Sequence, residues 1–456
     1  MQAYIGSGDI FEVKPLEQQN VDTGFAGIQH QLAGIITPYG YFFPDNESGK
    51  VFVFNGKMQE VSQSGMEDFF RETYRFRLEN FVYDNLSLTT AWSAVTNYTA
   101  TSAPIRYNNK IYIALANTIN EQPDSYPNKW SMVVDLTVNI LNQDDPIKGI
   151  GIHATYDVKY KRTLLTKRDY MLFNGSTLVW PTNYLTVFNP IRTAFANGFY
   201  LYNGRITYIA STVVLNSATW KTTQITVAGS PFTIYYWDDM RDFDNAVLGT
   251  TRFKPYHYTL SFHIDDPTWG SFMVYTPETY ISVGNRYFSY NTNNNFRHNS
   301  SDLATLPYLN IYNTNSDMIT EPVINEPKSN VKVLGSVSLE TKSYDIGNVI
   351  PRPLPRNATP ARQVLETFTT YQVYDSYQIS EEVTGVNTSN QRYVDGYWNI
   401  NDFRDSTLNN SNPLFITDGI NRTPNTANID PTKHWSLKKR FVDYWFGVRL
   451  KYSGNN

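Results

Sequence analysis

The chain contains no cysteine. Disulfides, thiol nucleophiles and thiolate metal sites are therefore excluded at the outset. It is also poor in charge: Asp, Glu, Lys and Arg make up 18% of its 456 residues, against about 25% in an average soluble domain. The net charge is −4 and Lys and Arg form no long run, so a nucleic-acid groove has no electrostatic basis. No apolar stretch approaches the roughly 20 residues of a membrane helix, and the first residues lack a signal-peptide pattern. The histidines are scattered, without H-x-H or H-E-x-x-H spacing, so no metal site is expected. Walker, Rossmann and G-x-S-x-G signatures are missing as well. No catalytic residue, metal or cofactor is assigned, and enzyme activity is not expected.

What the chain has instead is aromatic: 34 Tyr, 26 Phe and 9 Trp. A neutral, Tyr-rich surface suits extended β proteins and interfaces, where the ring supplies area and the hydroxyl meets water. The most informative segment is LAGIITPYGYFFPDNESGKVFVFNGKMQEVS at 32–62. Four short β-rich runs are separated there by Pro-Tyr-Gly, Asp-Asn-Glu-Ser-Gly and Asn-Gly-Lys, residues that accept tight turns. This is the layout of one four-stranded, propeller-like blade. Related runs recur at 150–167, around a Tyr156–Lys161 turn, and at 256–290, where four runs alternate with turn residues. A closed propeller takes about four to eight blades, so the chain is expected to hold only part of one.

The predicted class is mainly β: partial β-propeller-like blades, inserted small β modules and a C-terminal β-sandwich-like domain. Residues 1–83 carry the first blade and a connector helix. A small carbohydrate-binding-like module follows at 84–136, then propeller-like strands at 137–171. A second inserted β module spans 172–246, a further blade 247–300, and the C-terminal β domain 301–456, with a Pro-rich linker at 349–364. Ser64 and Glu67 read as a capping box; Met66, Phe69, Phe70, Tyr74 and Leu78 then give a helical apolar face of about four turns.

Within 84–136, Trp92 precedes a hairpin around Asn108-Asn109, and Pro123 to Trp130 closes the unit. The order of these residues resembles small carbohydrate-binding modules of chitinases and phage tail proteins, in which exposed aromatic faces stack on sugar rings. Trp92, Tyr107, Tyr112 and Trp130 are the stacking candidates. The same rings equally suit a mini-core, because so small a unit has little else to bury. Asp238, Asp239, Asp242 and Asp244 form the densest acidic group, a turn or a weak candidate for a carboxylate pair or Ca²⁺ ligands. Asp265-Asp266-Pro267 reads as a hairpin turn, and His153 and His263 as hydrogen-bonded structural residues inside strands. The sequons at Asn46, Asn97 and Asn299 carry little weight in so Asn-rich a chain. At the C-terminus, Val442, Tyr444, Phe446, Val448, Leu450 and Tyr452 alternate with Asp443, Arg449 and Lys451, and Trp445 lies between them; this predicts a final strand.

Five phrases carry a wider resemblance: GSGDIFEVKP (6–15), TPYGYFFPDNESGKVFVFNGKMQEVSQSGMEDFFRE (37–72), HATYDVKYKRTLLTKRDY (153–170), GYWNINDFRD (396–405) and KHWSLKKRFVDYWFGVRLKY (433–452). Together they resemble the C-terminal portion of the tail muzzle, or stabilization, proteins of crAss-like bacteriophages, short-tailed viruses of gut Bacteroidales. The resemblance covers most of the chain outside 84–136 and 172–246. It implies a virion tail component without catalytic duty, forming a homo-oligomeric ring with other phage tail proteins and helping to close the DNA channel. Packaged DNA would lie nearby without sequence-specific contact. Family members are longer, with further propeller-like sequence upstream, so an N-terminal fragment would complete the propeller. The Pro351–Pro355 segment and the C-terminal strand are the expected crossings between subunits. The alternatives are a glycan-binding adhesin that takes a host surface glycan through 84–136 and, behind it, a capsular depolymerase.

Overall fold

The computed structural model describes residues 26–74, 90–99, 102, 105–135, 145–172, 253–291, 294–299, 310–315, 317–327, 330–341, 343–344, 363–364, 367–384, 391–401, 403–408, 413–418 and 421–452, together with four strands between 198 and 237. The fold is mainly β and built from several antiparallel sheets.

The segment at 32–62 folds as its turns dictate. Strands Ile35–Thr37, Gly40–Asp45, Lys50–Phe54 and Met58–Glu60 pair in sequence order as one four-stranded antiparallel sheet. A short helix, Glu67–Thr73, follows. The capping box does not form: Met66 is the N-cap, no side chain caps the helix, and Glu67 is already its first residue. The cause lies one step earlier in the chain. Gly65 has φ +77° and a Cβ there would meet Asn325, whose side-chain amide donates to the Ser64 carbonyl at 3.1 Å. Tertiary packing, not the local box, sets where this helix starts. Leu78 lies outside the described residues.

The organising element is an eight-stranded sheet in the order Val383–Thr384, Thr370–Tyr374, Phe446–Tyr452, Met318–Ile324, Thr268–Met273, Tyr258–His263, Arg162–Arg168, Gly151–Asp157. Every neighbouring pair in it is antiparallel. The runs at 150–167 form the expected hairpin, and 264–267 is the expected turn. The four runs at 256–290, read as one blade, divide instead: the first two join the large sheet, while Thr279–Val283 and Arg286–Asn291 pair with Asn294–Arg297 in a separate one. Two hairpins from distant segments thus share a ladder, which turn chemistry alone cannot reveal.

Both faces of this sheet are covered. On one lie the helix and the N-terminal sheet: Phe69 packs on Tyr258, Phe272 and Trp445, and the Trp269 indole donates to the Val61 carbonyl at 3.0 Å. On the other, Leu164 packs with Tyr280 and Tyr287. Farther along, Val373, Phe446, Val448 and Leu450 pack with Val337, Ile400 and Phe441. That second cluster draws on the sheet Ser336–Leu339, Tyr397–Asn401, Gln391–Val394.

The C-terminal strand is therefore interior. It runs from Phe446 to Tyr452, with both edges hydrogen-bonded within the chain. This corrects its expected role as a crossing between subunits, because it has no unpaired edge to offer. Its odd-numbered face is also not a solvent face. Trp445 and Arg449 are buried, whereas Val442 and Tyr444, beyond the break at 444–445, are exposed. Gly447 is required where the Tyr374 ring crosses the strand, since a Cβ there would meet that ring at 2.2 Å. The Pro351–Pro355 segment lies outside the described residues.

The insertion after 172 is closed at its base by a ladder between Tyr170–Leu172 and Phe253–Pro255. Its strands Gly198–Tyr202, Arg205–Ala210, Ser230–Trp237 and Lys221–Val227 lie in that order in one antiparallel sheet. The smaller module is the sheet Ile105–Tyr107, Lys110–Ala114, Trp130–Asp135. Its first hairpin turns at Asn108 and Asn109, both at positive φ, the type I′ geometry that asparagine tolerates.

Candidate functional site

Three places gather side chains that a fold alone does not demand. The first is a buried ion triad. Glu321 accepts from the Arg422 guanidinium on one carboxylate oxygen and from Arg449 on the other. The Tyr374 hydroxyl donates to the same carboxylate at 2.9 Å and accepts from Arg422 at 3.1 Å. All four residues are buried. One acid between two guanidiniums leaves a surplus positive charge, which lies over the Phe415, Phe272 and Tyr374 rings at 3.6, 4.5 and 4.9 Å. Such ring faces attract cations where water is excluded. The triad fastens the segment at 421–424 to two strands of the large sheet. Sequence reading missed it because the three ionic partners are separated by about a hundred residues or lie on different strands.

The second place is the end of the sheet where the loop at 375–378 meets the short strand Val442–Asp443. Asp375 takes the N–H groups of Tyr377 and Gln378 on one oxygen at 2.8 and 2.7 Å, while its other oxygen is buried without a partner. Burial, with the Asp443 carboxylate beside it, pushes the Asp375 carboxyl up to about 8. Burial also raises Asp443. The Gln378 amide ties the loop to the strand, accepting from the Val442 N–H at 3.1 Å and donating to the Arg440 carbonyl at 3.3 Å.

Next to these carboxylates the surface is apolar. Val442 pairs directly with Val333 on strand Lys332–Val333, and the two side chains remain 51% and 57% exposed. Val331 and Tyr444, each two residues away in the chain, are exposed as well, and so is Tyr377 in the loop that Gln378 ties to Val442. A second apolar tip caps the hairpin of Gln391–Val394 and Tyr397–Asn401, where Tyr393, Val394 and Tyr397 are exposed around Asp395-Gly396. The ladder of Lys332–Val333 with Val442–Asp443 stops after two residues and leaves its apolar side chains uncovered.

The third place is the small module with the four stacking candidates. Tyr112 and Trp130 are buried in its core with Tyr98, Ile105 and Ala114. Their polar tips are used internally: the Trp130 indole donates to the Glu121 carbonyl at 2.9 Å, and the Tyr112 hydroxyl donates to Asp124. A buried ring cannot stack on a sugar, so these two leave the candidate set. The physical reason is the one the module's size suggests, since it has few other apolar groups to bury. Trp92 and Tyr107 are half-buried and meet edge to face, with ring centroids 5.4 Å apart. They are the pair with surface left for a ligand.

Other candidates resolve into structure. Ser289 and His298 approach to 2.6 Å in the manner of a nucleophile and its base. Ser289 is fully buried, shares its hydroxyl with Tyr312 at 2.8 Å, and His298 stacks on Tyr287 at 4.7 Å. Burial holds His298 down to about 4. This pair is a closed network with no room for attack. His153 is buried in its strand, but neither ring nitrogen has a hydrogen-bond partner, which corrects its expected bonded role. Asn46, one of the sequon residues, is buried. Asp238, Asp239, Asp242 and Asp244 lie outside the described residues. Among the described residues no group of three or more His, Asp or Glu side chains is placed to hold a metal ion, and no helix is long and apolar enough to cross a membrane. No protein-family model matches the chain, and no curated protein matches it.

Proposed function

We propose that the chain is a structural component of a bacteriophage tail, of the muzzle kind its sequence resembles. It would assemble into an oligomeric ring at the distal tail and help close the DNA channel. The observation that carries this reading is the cross-strand pair Val333 and Val442, more than half exposed on a two-residue ladder. Isolated proteins protect such edges with charges, bulges or covering loops, and contiguous exposed apolar groups mark sites of association. Here Tyr377 and Tyr444 are exposed as well, and the hairpin tip at 393–397 supplies a second apolar projection. In this reading the meander at 32–62 is a blade-like element whose ring another polypeptide completes, and the sheets stacked around Val337 and Val448 form a sandwich-like C-terminal domain. The inserted modules decorate this body.

Lysine placed at both valines should keep the fold, because both side chains already face water, while opposing association. Sedimentation velocity on wild type and the Val333→Lys, Val442→Lys variant is expected to show the oligomer weakened by more than about tenfold. A wild-type chain that stays monomeric and never joins particles sinks the assembly reading.

The second reading, glycan binding by the small module, is favoured by the half-buried Trp92–Tyr107 pair. On a glycan array it predicts retention that falls about tenfold in Trp92→Ala, the loss expected of one aromatic face. No retention at millimolar sugar ends it.

A further inference from the structure

The described interior holds four buried Lys and Arg side chains, and three of them have an acid. Lys167 pairs with Asp169 at 2.9 Å, and Arg422 and Arg449 share Glu321. The fourth, Arg168, has none. It is 6% exposed, its Nε and Nη1 are buried without a hydrogen-bond partner, and among the described residues no carboxylate pairs with it. The nearest acid in the chain, Asp169, projects from the opposite side of the strand, where it binds Lys167 and accepts the Tyr170 N–H at 2.8 Å. Arginine remains charged at any ordinary pH. A buried charge without a counter-charge is strongly unfavourable.

Beside it is a second unsatisfied group. The register of strands Gly151–Asp157 and Arg162–Arg168 pairs Gly151 with Arg168 and His153 with Thr166, which puts His153 and Arg168 on one face, one diagonal step apart. His153 is 1% exposed and both its ring nitrogens are buried without partners. Opposite Arg168 there is no side chain at all, because Gly151 lies against the Pro146 ring. Neighbouring groups are engaged elsewhere and bond neither Nε nor Nη1 of Arg168: the Tyr280 ring packs on His153 at 4.9 Å and its hydroxyl shares a hydrogen bond with Thr166 at 2.8 Å, while the His257 Nδ1 accepts the Asp169 N–H at 3.1 Å.

We propose that Arg168 and His153 form a binding site for one small oxyanion, a phosphate, sulfate or carboxylate group, entered where Arg168 retains its exposure. The guanidinium supplies the fixed charge and charge-assisted hydrogen bonds, and the imidazole supplies a second donor. Burial, then the Arg168 charge, then His30, holds the His153 imidazole down to about 3. An anion between the two side chains reverses the second of those effects, so binding takes up a proton as pH falls. The charged and titratable groups around His153 are Arg168 and His30, with Asp145 acting on His30 and the Tyr280 phenol against the ring.

Isothermal titration of the full chain with inorganic phosphate, sulfate and acetate at constant ionic strength tests this, with chloride as the reference. Saturable binding of at least one oxyanion is expected, and that of sulfate, which keeps its charge over this range, is expected to tighten as pH falls below about 5 toward the His153 range. Arg168→Met should weaken it by at least about tenfold, and His153→Phe should retain weaker binding without the pH dependence. Arg168→Met is also expected to unfold at a higher temperature than wild type in anion-free buffer, because it removes an uncompensated charge. Absence of saturable binding by wild type to all three anions overturns the proposal, and so does equal binding by wild type and Arg168→Met. Where Arg168→Met does not fold, the wild-type isotherm and His153→Phe decide: equal pH dependence in both also overturns it.

Discussion

Glu321→Ala is expected to destabilise the chain by about 3–5 kcal/mol, the range for breaking a buried ion pair by removing one partner. A typical domain is held by about 5–15 kcal/mol, so the variant should lose much of its resistance to denaturant. The loss comes less from the missing bonds than from what stays behind. Arg422 and Arg449 would keep their burial without the single carboxylate that both contact. Tyr374 would lose the acceptor of its hydroxyl at 2.9 Å. Apolar replacement of all three, Glu321→Leu with Arg422→Leu and Arg449→Met, should therefore be milder than the single change, since no stranded charge remains. Urea unfolding of the four chains (wild type, each of these two, and Arg422→Leu alone) checks the ordering. A Glu321→Ala midpoint within error of wild type would refute this account of the triad.

The triad also marks where sequence reading ends. Local turns were legible: Asn108-Asn109, Gly56, Lys161 and Asp265-Asp266-Pro267 all fall between paired strands. Their backbone geometry is set by neighbouring residues, so a single window contains the cause. Sheet membership was not legible, because the hairpins at 151–168 and 258–273 are joined only through the ladder between Arg162–Arg168 and Tyr258–His263. Face assignment failed for a related reason. Arg449 and Lys167 look like solvent residues until Glu321 and Asp169 are placed against them, and a sheet covered on both sides buries its polar positions too. Of the stacking candidates, Tyr112 and Trp130 went to the core while Trp92 and Tyr107 stayed at its margin. Four aromatic residues in a row of turns do not say which pair will be inside.

The pH response of the 375–378 end follows from the same geometry. Asp375 titrates near 8 in the folded chain against an ordinary 3.8. Between those values the folded chain holds a proton that the unfolded chain has released, so stability must fall as pH rises through this window. The contribution is fully present below about pH 4 and is lost by about pH 8. A tenfold difference in proton affinity between the folded and unfolded chain is worth about 1.4 kcal/mol. Part of this shift comes from the neighbouring Asp443 charge, so we assign Asp375 about 2–4 kcal/mol across the window. Asp375→Asn should remove most of that slope. The amide oxygen can still accept the Tyr377 and Gln378 N–H groups, and the amide carries no charge to titrate. Thermal unfolding at pH 5 and pH 8, at a concentration too low for assembly, is expected to show the wild type losing stability with rising pH and Asp375→Asn holding nearly level. A wild type that gains stability over that interval would contradict the assignment. The loop and strand that the carboxylates separate also carry Tyr377 and Val442. A proton on Asp375 removes its repulsion with Asp443 and would therefore hold the apolar face in one piece, and under the assembly reading self-association should be tighter at pH 5 than at pH 8.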